Sequence, residues 1–202
     1  MKETAPSADR NMEPIRIALC ELVPDTAHHL LEIASGTGQH AAHIAPSLPQ
    51  LHWWPCEYDT SRFPSIAAYG DDTPNMMAPQ QVDVLQVNWA ETINPERADV
   101  ILNINMIHIT PWSACVGLLS GAGAKLVSGG MLVLYGPFFQ RAVAPVSSNL
   151  DFDQWLRQRD CAFGLRYLED VETEAMHHGL YLSRILEMPA NNLLVVLVRR
   201  DA

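Results

Sequence analysis

The sequence is poor in paired cysteines, in basic charge and in long apolar runs, and each shortage excludes something. Its four cysteines, Cys20, Cys56, Cys115 and Cys161, are scattered, without the close spacing that builds a zinc knuckle or a redox pair. They read as reduced, mostly buried thiols of a cytoplasmic protein. Thirteen Lys and Arg stand against 23 Asp and Glu, a formal net charge of -10 at pH 7. That field has the wrong sign for phosphate backbones and anionic lipid, so neither nucleic acid nor membrane is an expected partner. The most apolar stretch, 131–139, is broken by Gly136 and Pro137 and falls well short of a bilayer span. Residues 1–14 carry Lys2, Glu3, Asp9, Arg10 and Glu13 with no apolar run, unlike a secretory or mitochondrial leader. The adjacent pairs His28-His29 and His177-His178 cannot converge on one ion in a strand or a helix, so no metal is predicted.

What remains suits a folded α/β protein. With 202 residues, 48% hydrophobic and 18% charged, the chain is long enough for one domain, 1–202, with a full core. Apolar runs flanked by turn residues predict strands over 28–34, 51–57, 80–85, 98–105, 130–135, 180–187 and 193–199. Helical spacing predicts helices over 13–22, 38–48, 61–69, 111–126 and 168–178. Residues 1–14 are set apart as an N-terminal arm able to act as a lid, and 137–149 reads as a surface excursion. Strand–helix alternation implies a mostly parallel sheet covered on both faces, and continuously apolar strands such as Val100-Ile101-Leu102 agree. The last two strands are joined by a link too short for a helical crossover, so they are expected to form an antiparallel hairpin.

The most informative segment is Leu31-Glu32-Ile33-Ala34-Ser35-Gly36-Thr37-Gly38-Gln39-His40, a strand entering a glycine turn and then a helix. Such a turn lets the backbone approach a ligand at a helix N-terminus. The run from Gly36 to Ala41 also fits a dinucleotide fingerprint. Glu32 separates the two readings, because a carboxylate beside the turn would repel a pyrophosphate and tolerate a phosphate-free sulfonium. The spacing Glu-x-x-x-Gly-x-Gly resembles the first motif of class I S-adenosylmethionine-dependent methyltransferases, with Ala34, Gly36 and Gly38 forming the turn. The plain alternative is a Glu bonded to neighbouring amides beside an ordinary turn.

Ligands in open α/β sheets sit over the carboxyl ends of strands. At the end of the second strand Glu57 and Asp59 compete for a ribose, Glu57 lying close to the ~20-residue offset expected after the turn. Asp83 is placed to accept from an adenine amino group while the Val84 amide donates. On the fourth strand Asn103 and Asn105 bring polar groups to the edge where a methyl acceptor would lie. His108 is the candidate general base, against the alternative of a histidine packed at a strand end. Arg10 and Asn11 could fold over the cofactor and meet its carboxylate. Trp112, Tyr135, Phe138 and Asn191 are candidate walls of an acceptor site, the aromatics also suiting plain core positions.

Most of the chain resembles the methyltransferase-like protein 26 family. The likeness runs from Ser7-Ala8-Asp9-Arg10-Asn11-Met12-Glu13-Pro14-Ile15 through the glycine turn to Asn105-Met106-Ile107-His108-Ile109. It continues at Tyr135-Gly136-Pro137-Phe138, Phe152-Asp153, Leu168-Glu169-Asp170 and Met188-Pro189-Ala190-Asn191-Asn192-Leu193. The resemblance implies a class I methyltransferase fold and S-adenosylmethionine binding, and leaves the acceptor open. Phe63-Pro64 departs from it locally. The expected activity is methylation of a small molecule. A non-catalytic S-adenosylmethionine sensor and, less favoured, an NADP-dependent oxidoreductase are the competing readings.

Overall fold

The computed structural model describes residues 1–200, and its centre is a seven-stranded sheet in the order β3-β2-β1-β4-β5-β7-β6. The strands are β1 His29–Ile33, β2 His52–Glu57, β3 Gln80–Gln81, β4 Ala98–Ile104, β5 Leu126–Gly136, β6 Leu180–Met188 and β7 Asn192–Arg199. β1 to β5 run parallel, and β7 pairs antiparallel with both β5 and β6. Strand order therefore reverses between β1 and β4, where the carboxyl ends of neighbouring strands open a crevice.

Alternate residues of β1 and β4 feed two separate cores, as the strand period of two requires. Leu31, Ile33 and Ile101 pack with helices α4 (Trp112–Lys125) and α6 (Leu168–Met176). Leu30, Val100 and Leu102 face α1 (Pro6–Leu22), α2 (Gln39–Ile44) and α3 (Phe63–Gly70). Helix α5 (Ser147–Arg159) lies outside both, closing a satellite of Phe139, Leu156 and Leu165.

Several elements differ from expectation. The N-terminal arm is largely helix: α1 starts at Pro6 and runs through Pro14, which forgoes the bond to the Arg10 carbonyl without ending the helix. Ala8 is buried and Asp9 accepts from Gln39 of α2 at 2.9 Å, so packing holds the turn that proline weakens. Helix α5 replaces part of the surface excursion. β3 keeps only two residues of the expected 80–85 strand, the rest bending into a loop stapled by the Asp83 carboxylate to the Leu85 amide at 2.9 Å. β5 starts earlier than expected and carries a register shift opposite Ala98 and Val100. Cys56 and Cys115 are buried, but Cys20 and Cys161 are exposed, half of the thiols rather than few.

The β6–β7 link places Ala190 and Asn191 at φ 58, a left-handed geometry that costs a Cβ-bearing residue about 1 kcal/mol or more. Ala190→Gly is therefore expected to raise the melting temperature by about 2–4 °C, the shift that ~1 kcal/mol gives at this chain length. Thermal denaturation followed by circular dichroism checks this, and a drop in melting temperature would show that the turn is not strained.

Candidate active site

Above the carboxyl ends of β1, β2, β3 and β4 lies a cavity of about 590 Å³. Each strand delivers a distinct wall. β1 ends in Ile33, Ala34 and Gly36, and β2 in Glu57, Tyr58 and Asp59. The β3 loop gives Asp83, Val84 and Leu85, and the chain after β4 adds Met106, Ile109 and Pro111.

The glycine turn is braced from within. Ser35 Oγ donates to the Glu32 carbonyl at 2.9 Å and accepts the Cys56 amide at 3.1 Å, while the Ser35 amide donates to the Cys56 carbonyl at 3.0 Å. Glu57 completes the brace: one carboxylate oxygen accepts the Gly36 amide at 2.7 Å and the other the Asp59 amide at 3.0 Å. Glu57 is buried and its carboxylate borders the cavity. Asp59, more exposed, caps the short turn Thr60–Arg62 through the Ser61 amide at 3.0 Å. The two acids thus separate by role, Glu57 holding the turn and Asp59 starting the next one.

Ala34, Gly36 and Gly38 all adopt positive φ, at 63, 57 and 88°. A Cβ at Gly36 would point into open space, whereas one at Gly38 would meet the Ile66 backbone at 3.0 Å. Gly36 therefore keeps the cavity floor low, and Gly38 lets α2 pack against α3.

Glu32 sits elsewhere. By strand parity it shares the face of Leu30 and points beneath the sheet, accepting the Trp53 indole N–H at 3.1 Å. It is 1% exposed, and burial, reinforced by the nearby Glu57 charge, pushes its carboxyl up to about 7. Glu32 does not line the cavity, so the repulsion of a pyrophosphate expected from it falls to Glu57.

The other expected residues scatter. Asn103 is buried, with its amide on the Ile33 carbonyl at 2.9 Å, behind the turn. Asn105, at φ 63, donates its backbone N–H to Tyr135 and starts a short turn, Met106–His108. His108 is fully buried, edge-on to Phe138 at 5.0 Å, with neither ring nitrogen hydrogen-bonded. Burial, then the Arg166 charge, lowers its pKa to about 3, so it is a neutral imidazole and a weak base, and it does not border the cavity. Asn11 bonds His40 of α2 at 2.8 Å, and Arg10 is exposed on α1. Trp112, the first residue of α4, lies under the Arg166 guanidinium and does not border the cavity, and Tyr135 is buried at the end of β5. Phe138 and Asn191 border a second, smaller cavity.

Sequence reasoning missed four contributors. Arg62 borders the cavity, gripped by Glu3 and near Asp59, and only the fold brings the N-terminus there. Arg166 donates to the Ile107 and Thr110 carbonyls at 2.9 and 2.6 Å, pinning the loop that forms the cavity's apolar wall. Gly117 and Gly121 of α4 admit the Val84 carbonyl and the Trp89 ring, either of which would lie within 2.1 Å of a Cβ there. Their Gly-x-x-x-Gly spacing was the available signal.

This sheet order, with a glycine turn at the reversal point and an antiparallel C-terminal pair, defines the Rossmann-like methyltransferase fold. The chain belongs to the family described as "Protein of unknown function (DUF938)", whose profile matches residues 2–199. Among solved structures it is similar to an O-methyltransferase family protein from Burkholderia thailandensis, at 17% identity and TM-score 0.79, over 97% of this chain and 58% of that one. It is also similar to human N-acetylserotonin methyltransferase in complex with SAM, at 12% identity and TM-score 0.73, over 96% and 53%. A chain from the complex between the Haloferax volcanii Trm112 methyltransferase activator and a candidate methyltransferase matches at 12% identity and TM-score 0.76, over 96% and 92%. The chain thus spans little more than half the length of the first two. Among the described residues no helix is long and apolar enough to cross a membrane.

Proposed function

We propose that the chain is an S-adenosylmethionine-dependent methyltransferase acting on a small molecule. The observation that carries this reading is the Glu57–Gly36 bond. In a dinucleotide site the amides of the glycine turn receive a pyrophosphate. Here the Gly36 amide is already taken by a carboxylate, which would repel a phosphate lodged beside it. A ligand with ribose hydroxyls and no phosphate meets the opposite situation, because each Glu57 oxygen retains a lone pair for a hydroxyl donor. The open space above Gly36 accommodates such a ligand.

The assigned roles follow the walls. Ala34 and Gly36 lie under the amino-acid tail, Glu57 takes the ribose, and Asp83 with the Val84 amide reads the adenine. Arg10, which has no ion-pair partner among the described residues, is assigned to the tail's carboxylate, with Asn11 positioning the helix beside it. The cofactor supplies an electrophilic methyl group. This chain's share is to hold an acceptor in line and keep water out, which supplies much of the rate for such a transfer. His108 and Asn105 are assigned to shaping the acceptor side rather than to proton removal, since the imidazole is buried and weakly basic.

The net charge of -10 supports a small acceptor over a nucleic acid, and the name of the human neighbour supports the same class. The blocks resembling methyltransferase-like protein 26 relatives support a kinship with them, and one domain over 1–202 acting in the cytoplasm is part of the same proposal.

Calorimetric titration with S-adenosylhomocysteine and with NADP tests the cofactor. Saturable binding of the first and none of the second is expected, and the reverse would overturn the proposal. Transfer of labelled methyl to a metabolite panel then separates an enzyme from a sensor that binds without turnover.

A further inference from the structure

Lys2 and Glu3 form a strap along α3 that ends on the wall of the main cavity. Lys2 pairs with Asp72 at 2.6 Å and lies over the Tyr69 ring at 5.0 Å. The Glu3 amide donates to Ser65 Oγ at 2.9 Å, and the Glu3 carbonyl accepts the Tyr69 hydroxyl at 3.0 Å. Ser65 Oγ in turn donates to the carbonyl of Thr37, inside the glycine turn, at 2.8 Å. These bonds fix the Glu3 backbone without using its carboxylate. That carboxylate grips Arg62, 59 residues away in the sequence.

Among the described residues Arg62 is the only cation on the cavity wall, which also carries the acids Glu57, Asp59 and Asp83. Its Nε stands 3.9 Å from Asp59, whose amide donates to Glu57, the residue assigned to the ribose. In dinucleotide folds an arginine near the ribose acid accommodates a 2′-phosphate. Arg62 has the place for that task but not the freedom, because Glu3 and Asp59 already hold its guanidinium. A phosphate arriving there has to displace Glu3 and meets the field of Glu3, Glu57 and Asp59 together. A bare ribose brings hydroxyls, which need no cation. Glu3, Asp59 and Arg62 are each about half exposed, so solvent and salt limit this discrimination to a modest factor.

We propose that Glu3 is a specificity-determining residue of the cofactor site. By holding Arg62 it denies a counter-charge to a phosphate on the ribose, so the site takes a nucleoside with both ribose hydroxyls free and rejects its 2′-phosphate. This role rests on the cofactor reading above. It accounts for what Glu57 alone does not, the exclusion of phosphate from a wall that carries an arginine beside the ribose. Glu3 acts through Arg62 and not on the ligand, so its signature is a changed preference between two ligands.

The test uses the full chain and two probes that differ by one phosphate, adenosine and adenosine 2′-monophosphate, titrated by calorimetry. Adenosine is expected to bind with a Kd at or below about 1 mM, the level a ligand of this size can reach, and at least about 10-fold tighter than the phosphate. Glu3→Gln keeps the backbone bonds of the strap and relieves Arg62 of one carboxylate. The phosphate is then expected to gain about 3- to 10-fold, shrinking the preference to about 3-fold or less. Adding Arg62→Gln is expected to abolish that gain. Equal or tighter binding of the phosphate by the wild type would overturn the proposal. So would an unchanged preference in Glu3→Gln, a parallel weakening of both ligands, or a gain that survives Arg62→Gln. S-adenosylhomocysteine, titrated on the same samples, keeps the two readings apart. If it binds while the preference ignores Glu3, or while adenosine does not bind, the role of Glu3 falls and the cofactor site stands. If neither it nor adenosine binds, the cofactor reading falls and takes the role of Glu3 with it.

Discussion

Gly36→Val is expected to weaken S-adenosylhomocysteine binding by at least about 100-fold, a loss of ~2.7 kcal/mol. The Cβ of residue 36 would project into the space above the glycine turn, where no protein atom lies within 4 Å, so the isopropyl group would fill the floor of the cavity rather than clash with the fold. A second effect adds to the first. At φ +57 a β-branched residue is strained by ~1–2 kcal/mol, which pulls the turn away from Glu57. Titration and thermal denaturation of one sample separate the two, with a modest fall in melting temperature alongside the lost affinity. Wild-type affinity in a folded variant would remove the turn from the site.

The second large effect is on stability. Glu32 keeps its proton in the folded protein up to about pH 7, against an ordinary value of 4.5. Below 4.5 it is neutral in both states and costs nothing. Between 4.5 and 7 the unfolded chain ionises while the folded one resists, so stability falls as pH rises, levelling off above 7. At 1.36 kcal/mol per unit the full loss is roughly 3 kcal/mol. Glu32→Gln keeps an oxygen for the Trp53 indole and carries no charge. It is expected to match wild type near pH 4.5 and to exceed it by up to about 3 kcal/mol at pH 8. Urea denaturation of both proteins at the two pH values decides, and a difference that does not grow with pH would show that Glu32 is ionised at no cost.

That same residue shows where sequence reading stops. The strand over His29–Ile33 and the turn after it were legible, because continuous apolar residues followed by glycines have few other uses. Placing Glu32 at the ligand was not warranted by its spacing alone. Strand parity sends Ile33 to the face that ends at the cavity and Glu32 to the other, and parity needs the partner strands to be known. Glu57 and Asp59 were equally eligible until the fold showed one bracing Gly36 and the other capping a turn. Helix α5 escaped notice because it barely uses a core: only Asn149 and Leu156 of its side chains are buried, so no apolar stripe marks it. Helix α1 starts at Pro6 rather than at 13, because tertiary contacts carry it through Pro14, which local pattern does not show. The paired acids, the turn and the hairpin thus came from local pattern. Arg62, Arg166 and the orientation of His108 arise only from chain segments far apart in sequence.

The clasp between Glu57 and Gly36 has one more effect. A loop that must be assembled around its guest dissipates affinity in becoming ordered, and its association is slowed by the rearrangement. This bend is rigid beforehand, held by its own side chains on two sides. Capture there resembles a key meeting a finished lock, in which selectivity resides in what the rim rejects more than in how far the protein moves.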